Sequence, residues 1–131
     1  MSPAYPQDVL DKCRKAFSIE GPKFLHAFIP CTRGWRYPTE DSVTLARLAT
    51  QTCIFPLYEV TRENGRPVYK LSGASAAIAR RPQSKKPVEE YLKGQGRFRH
   101  LFRPEENKEL LEAIQEGVDH RWQLLLEKCN L

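Results

Sequence analysis

Residues 21–35 read Gly-Pro-Lys-Phe-Leu-His-Ala-Phe-Ile-Pro-Cys-Thr-Arg-Gly-Trp. The opening Gly21-Pro22 pair is a turn signal that stops whatever precedes it. Five of the six residues from Phe24 to Ile29 are apolar, with Phe24 and Phe28 on one face and Leu25, Ala27 and Ile29 on the other. A strand that is apolar on both faces belongs in a parallel sheet covered by helices, so the run predicts a buried parallel strand. Pro30 has no N–H to give to a ladder and ends it. Cys31 follows at once, and Thr32 to Trp35 lead out into a loop. The strand thus delivers one thiol to its carboxyl end, the edge at which open α/β sheets bind ligands.

Working outward, the residues before Gly21 form a helix. Pro6 suits its first turn, and Val9, Leu10, Cys13, Ala16 and Phe17 recur at helical spacing. Helix followed by parallel strand is half of a βαβ unit, yet no strand precedes the helix. On this reading, residues 1–35 are the last helix and strand of a larger sheet that has been cut in two.

After the loop, Thr39 to Cys53 predicts a second helix, capped by Thr39 and with Glu40 and Asp41 at its positive end. Leu57–Val60 and Pro67–Leu71 alternate as strands about Asn64-Gly65, a hairpin turn signal, which places a β-hairpin at residues 57–71. Residues 72–86, SGASAAIARRPQSKK, are small, polar and basic and read as a flexible linker. Pro87 opens a short helix over residues 87–93, which Gly94 and Gly96 end. Arg97 to Phe102 alternates basic and apolar side chains. A last helix is expected over residues 104–129, with Leu111, Ile114, Val118, Trp122, Leu125 and Cys129 three or four apart. Its length suggests that it lies across another subunit or domain. The fold class is therefore mixed α/β: helix and strand, then a helix, a hairpin and C-terminal helices.

The 131 residues suffice for one domain with a core, and the 40% apolar content is that of a soluble globular protein. No run of eighteen apolar residues is present and the first residues have no apolar signal core, so a cytoplasmic chain is expected, with no membrane partner. The formal charge of +5 favours an acidic partner without choosing one. The four cysteines, Cys13, Cys31, Cys53 and Cys129, form no CxxC, and three fall on apolar helix faces, which favours free thiols over a disulfide framework. His26, His100 and His120 show no metal spacing. Basic residues at 80–86 and 97–100, with Phe98 and Phe102 interleaved, make only a weak nucleic-acid pattern, and no nucleic-acid partner is expected.

The stretches GPKFLHAFIPCTRGW, LARLA, FPLYE and KPVEEYLKGQGRFRHL, in that order, resemble the C-terminal part of the β subunit of pyruvate:ferredoxin oxidoreductase. This is the thiamine-diphosphate-binding subunit of the 2-oxoacid:ferredoxin oxidoreductases. The similarity runs from about Pro3 to Trp122. It implies that residues 1–35 end the thiamine-diphosphate-binding domain and that residues 36–131 are a C-terminal extension used in subunit packing. It also implies that Cys31, in Pro30-Cys31, is the fourth thiolate of a [4Fe–4S] cluster whose other three ligands come from earlier in the subunit. The family's N-terminal CxxC and its acidic segment for magnesium and diphosphate are absent from these residues. The resemblance therefore gives this chain one metal ligand, Cys31, and no thiamine diphosphate or magnesium site. The implied partners are the other subunits (α, γ, δ) and ferredoxin. The implied activity is oxidative decarboxylation of a 2-oxoacid to an acyl-CoA, performed by the assembled enzyme and not by this chain alone. A non-catalytic interaction module or split-subunit piece is the alternative, and a basic nucleic-acid-binding protein a more distant one.

Overall fold

The computed structural model describes residues 1–131 and shows six α-helices, short 3₁₀ turns and one two-stranded sheet. Helix α1 spans Pro6–Phe17 with proline in its first turn, and the four-residue α2 spans Thr32–Trp35. Helix α3 spans Ser42–Gln51, β1 Tyr58–Glu63 and β2 Arg66–Leu71. Helices α4, α5 and α6 span Gly73–Arg80, Val88–Lys93 and Lys108–Lys128.

The hairpin forms where its turn signal places it. Asn64 and Gly65 both have positive φ, and the strands pair antiparallel from Tyr58↔Leu71 to Glu63↔Arg66. Primed turns require that conformation at both central residues, and Asn-Gly meets it at least cost.

The core is built from residues 37–125. Leu45 and Ala49 of α3, Ile78 of α4, Val88, Tyr91 and Leu92 of α5, and Leu111, Val118, Trp122 and Leu125 of α6 belong to one buried cluster. Helix α4 is docked by a polar contact. The Ser75 hydroxyl accepts the Leu57 N–H at 2.7 Å, and both residues are fully buried. Residues 72–86 are thus no linker. Alanine-rich Gly73–Arg80 has high helix propensity, and Ser75 and Ile78, three apart, share a buried face.

Two helix boundaries also move. The last helix begins at Lys108, not at residue 104, because the Asn107 side-chain oxygen caps it by accepting the Leu110 N–H at 3.0 Å. Thr39 makes no side-chain cap; Thr39–Asp41 is a 3₁₀ turn leading into α3. Helix α6 packs one stripe against its own chain while Leu110 and Leu124 on it remain over 40% exposed. No helix is long and apolar enough to cross a membrane.

The largest correction concerns residues 24–29. They are extended but form no strand, and the only sheet is the hairpin. Phe24 is 88% exposed and Ile29 72% exposed, so the run is not buried either. A strand is defined by its neighbour, and no second strand of this chain lies alongside. The segment is instead tied to the first residue, with the Phe28 N–H donating to the Met1 carbonyl at 3.0 Å. Phe28 alone turns inward, its ring 5.0 Å from that of Phe55 and 5.5 Å from that of Trp35. His26 is accordingly not a strand histidine but an exposed one, its ring 5.1 Å from that of Phe55. Helix α1 buries none of its residues, and Leu10, Phe17 and, just past its end, Ile19 are exposed.

Candidate functional site

The extended run ends at Pro30, and the chain turns at Cys31 into α2. Cys31 is exposed and has β backbone angles. Its sulfur accepts the Gly34 N–H at 3.4 Å, so the thiol caps the helix it precedes. That weak contact leaves most of the sulfur open to solvent. Gly34 sits against it, and a side chain there would begin 3.5 Å from Sγ.

The other three cysteines lie elsewhere. Cys13 and Cys129 are half-buried, Cys53 is buried, and all four are free. Burial pushes the Cys53 thiol up to about 12, with the Lys85 charge opposing and Asp119 adding. Burial raises the Cys129 thiol as well, against a backbone hydrogen bond at Leu71. These are inert thiols, because the reactive and metal-binding form of cysteine is the thiolate. No three His, Cys, Asp or Glu side chains of the chain are placed to hold a metal ion together. Cys31 is the one exposed thiol of the four, which makes it the candidate ligand. It fits a [4Fe–4S] cluster as one thiolate of four, and the remaining three would have to reach it from outside these residues.

Beside Gly34 lies a feature that sequence reading missed. Gly34, Arg36, Arg97, Arg99, His100 and Arg103, with Gly96 and Pro104, line an open pocket of about 720 Å³ with no carboxylate in its wall. It forms where two distant segments meet. The Gly96 N–H donates to the Arg36 carbonyl at 2.9 Å, and a Cβ at residue 96 would lie 2.7 Å from Arg36 Cβ. Gly96, read from sequence as a helix stop, is thus the point of close approach. Arg36 itself has φ 56°, uncommon for a residue with a Cβ.

One guanidinium in the pocket is fixed. Arg97 lies 4.0 Å over the Trp35 ring and 4.6 Å over the Phe98 ring. Its Nε donates to the Gln95 side-chain oxygen at 2.8 Å and its Nη2 to the Tyr91 hydroxyl at 3.2 Å. Gln95 is itself buried and anchored by donating to the Tyr91 carbonyl. Burial raises the Tyr91 phenol, with the Arg97 charge opposing, so the hydroxyl stays protonated and accepts. The alternation of Arg97 to Phe102 belongs to a 3₁₀ helix, Gly96–Leu101, that turns Arg99 and His100 outward and buries Leu101.

No protein-family model matches the chain. Individual relatives do. It is 44% identical over 122 residues to the pyruvate synthase subunit PorB of Methanocaldococcus jannaschii, covering 93% of this chain and 36% of that protein. It is 43% identical over 121 residues to PorB of Thermotoga maritima, covering 92% and 34%. It is 44% identical over 124 residues to the ketoisovalerate oxidoreductase subunit VorB of Pyrococcus horikoshii, covering 95% and 35%. The chain is thus similar to PorB and VorB subunits, and spans about a third of the length of the curated relatives it matches.

Proposed function

We propose that the chain is the C-terminal part of the β subunit of a 2-oxoacid:ferredoxin oxidoreductase, and that it works by completing a site whose other components lie in the rest of that subunit. The carrying observation is the exposed Cys31 sulfur at the end of an unpaired apolar run, in a chain 44% identical to a PorB subunit. Cys31 supplies one thiolate to a [4Fe–4S] cluster. When bound, such a cluster takes up and passes on single electrons, here from a 2-oxoacid oxidised on thiamine diphosphate toward ferredoxin. This chain's residues hold neither thiamine diphosphate nor magnesium in the proposal.

What the chain does is position. Gly34 gives its N–H to the Cys31 sulfur, so the turn into α2 aims the ligand. Residues 1–35 close the cofactor domain, with Phe24 and Ile29 of the extended run and Phe17 and Ile19 packing onto it. Exposed apolar surface of this extent marks an interface. The extended backbone then gains the neighbouring strand that it lacks. Residues 36–131 pack against the other subunits, in the cytoplasm.

The test is co-expression of the chain with the complementary two-thirds of a β subunit, followed by iron and sulfide analysis of the purified complex. Cys31→Ser is expected to abolish or strongly reduce bound cluster, whereas Cys129→Ser is expected to retain it. Unchanged iron content in Cys31→Ser refutes the ligand assignment. Alone, the chain is expected to show no 2-oxoacid-dependent dye reduction, and turnover without other subunits refutes the proposed division of labour.

A further inference from the structure

We infer that the pocket bounded by Arg36, Arg97, Arg99 and Arg103 is a binding site for a small phosphate-bearing anion, of diphosphate size and charge. The pocket holds four guanidinium groups and His100 around about 720 Å³. That volume lies within the range of small-ligand sites. None of the four arginines takes part in an ion pair, whereas Lys12, Arg14, Lys15, Lys85, Lys86 and Lys93 each have a carboxylate partner. The four arginines and His100 line one pocket with no carboxylate among its lining residues, so this group of cations has no counter-charge in its wall. Like charges bordering one pocket repel one another, and an anion bound there reduces that repulsion.

The chemistry of the wall selects the kind of anion. Beyond Pro104 the lining side chains are arginine and histidine, so charge rather than an apolar wall distinguishes the site. Guanidinium groups present planar, bidentate donors that match phosphate oxygens. One of them is set in advance: Arg97 is clamped by the Trp35 and Phe98 rings and by Gln95 and Tyr91, so little side-chain freedom is lost when it meets a ligand. The Gly96–Arg36 contact holds the two segments that bear these arginines together in one open pocket. It adjoins the Cys31 turn through Gly34 but does not depend on a metal there. The inference therefore stands or falls apart from the function proposed above.

The experiment is calorimetric titration of the 131-residue chain at low ionic strength with pyrophosphate, ADP, hexaglutamate and an oligothymidylate. Three proteins are compared: wild type, Arg99→Gln/Arg103→Gln, and Arg80→Gln/Arg81→Gln. The last removes the same charge from exposed positions outside the pocket. Saturable one-to-one binding of pyrophosphate or ADP is expected, weakened about tenfold or more by Arg99→Gln/Arg103→Gln and less than about twofold by the control. Tighter binding of ADP assigns a nucleotide, and tighter binding of pyrophosphate a free polyphosphate. Equal weakening in both variants overturns the site, since the effect is then net charge. Absence of saturable binding overturns it, as does tighter binding of hexaglutamate or the oligothymidylate, which would make the surface a protein or nucleic-acid interface.

Discussion

Gly96→Ala tests the geometry on which the pocket rests. The new Cβ would lie 2.7 Å from Arg36 Cβ and 2.9 Å from the Arg36 carbonyl oxygen. Both are main-chain-fixed atoms, so no side-chain rotation relieves the clash, and the two segments must separate. Overpacking of this kind costs about 1–3 kcal/mol. Separation also weakens the Gly96 N–H bond to Arg36, worth about 1 kcal/mol net. Against this, replacing glycine lowers the entropy of the unfolded chain, worth about 0.4–1 kcal/mol to stability. The balance is a loss of about 1–3 kcal/mol, read as a lower midpoint in urea at unchanged slope. Gly117→Ala is the internal control. Gly117 is an exposed residue inside α6, and a Cβ there meets nothing within 4 Å. That substitution is expected to stabilise by about 0.8–1 kcal/mol. If Gly96→Ala matches or exceeds the stability of Gly117→Ala, the close approach of residues 36 and 96 does not exist in solution, and the pocket described above loses the contact that holds its two segments together.

Three further outcomes are expected. Ser75→Ala leaves the buried Leu57 N–H without its acceptor and should cost about 1–3 kcal/mol in the same urea assay, with Ser75→Thr or Ser75→Cys unsuitable as controls because the site is fully buried. Cys53, held protonated by burial to about 12 in the folded chain, loses its proton near 8.5 when unfolded, so the unfolded state binds fewer protons between those values; stability should fall as pH rises from about 8.5 through 12, and Cys53→Ala should flatten that slope relative to wild type. In native labelling near pH 8 with a maleimide, followed by peptide mass mapping, exposed Cys31 should be modified before buried Cys53; the reverse order would contradict the placement of both thiols.

How much of this was legible in the sequence depends on where each signal is local. The hairpin was readable because Asn64-Gly65 dictates its own backbone. The α6 stripe was readable because Leu111, Val118, Trp122 and Leu125 carry the helical period. Residues 72–86 were misread because alanine and serine look like a loop in a hydropathy pattern, although alanine is the strongest helix former and Ser75 serves as a buried acceptor. The pocket could not be read at all: Arg36 and Gly96 are sixty residues apart, and only that glycine hints that something must come close. The residues 24–29 are the instructive case. Their pattern on both faces reads as a covered strand, and the structure shows them bare, with Phe24 and Ile29 in solvent. The two statements concern different surroundings. Hydropathy records the environment a segment was selected to occupy, whereas strand pairing requires the neighbour to be present. A chain that spans about a third of its relatives can therefore carry a buried strand's composition without a strand's hydrogen bonds. It follows that protection of the Leu25, His26, Ala27 and Ile29 amides from hydrogen exchange should be slight in this chain, where only Phe28 of the run has a bonded N–H, and should rise sharply in complex with the remaining two-thirds of a β subunit. Slow exchange of those amides in the chain alone would mean that the segment already has its partner, and the assembly argument would fail.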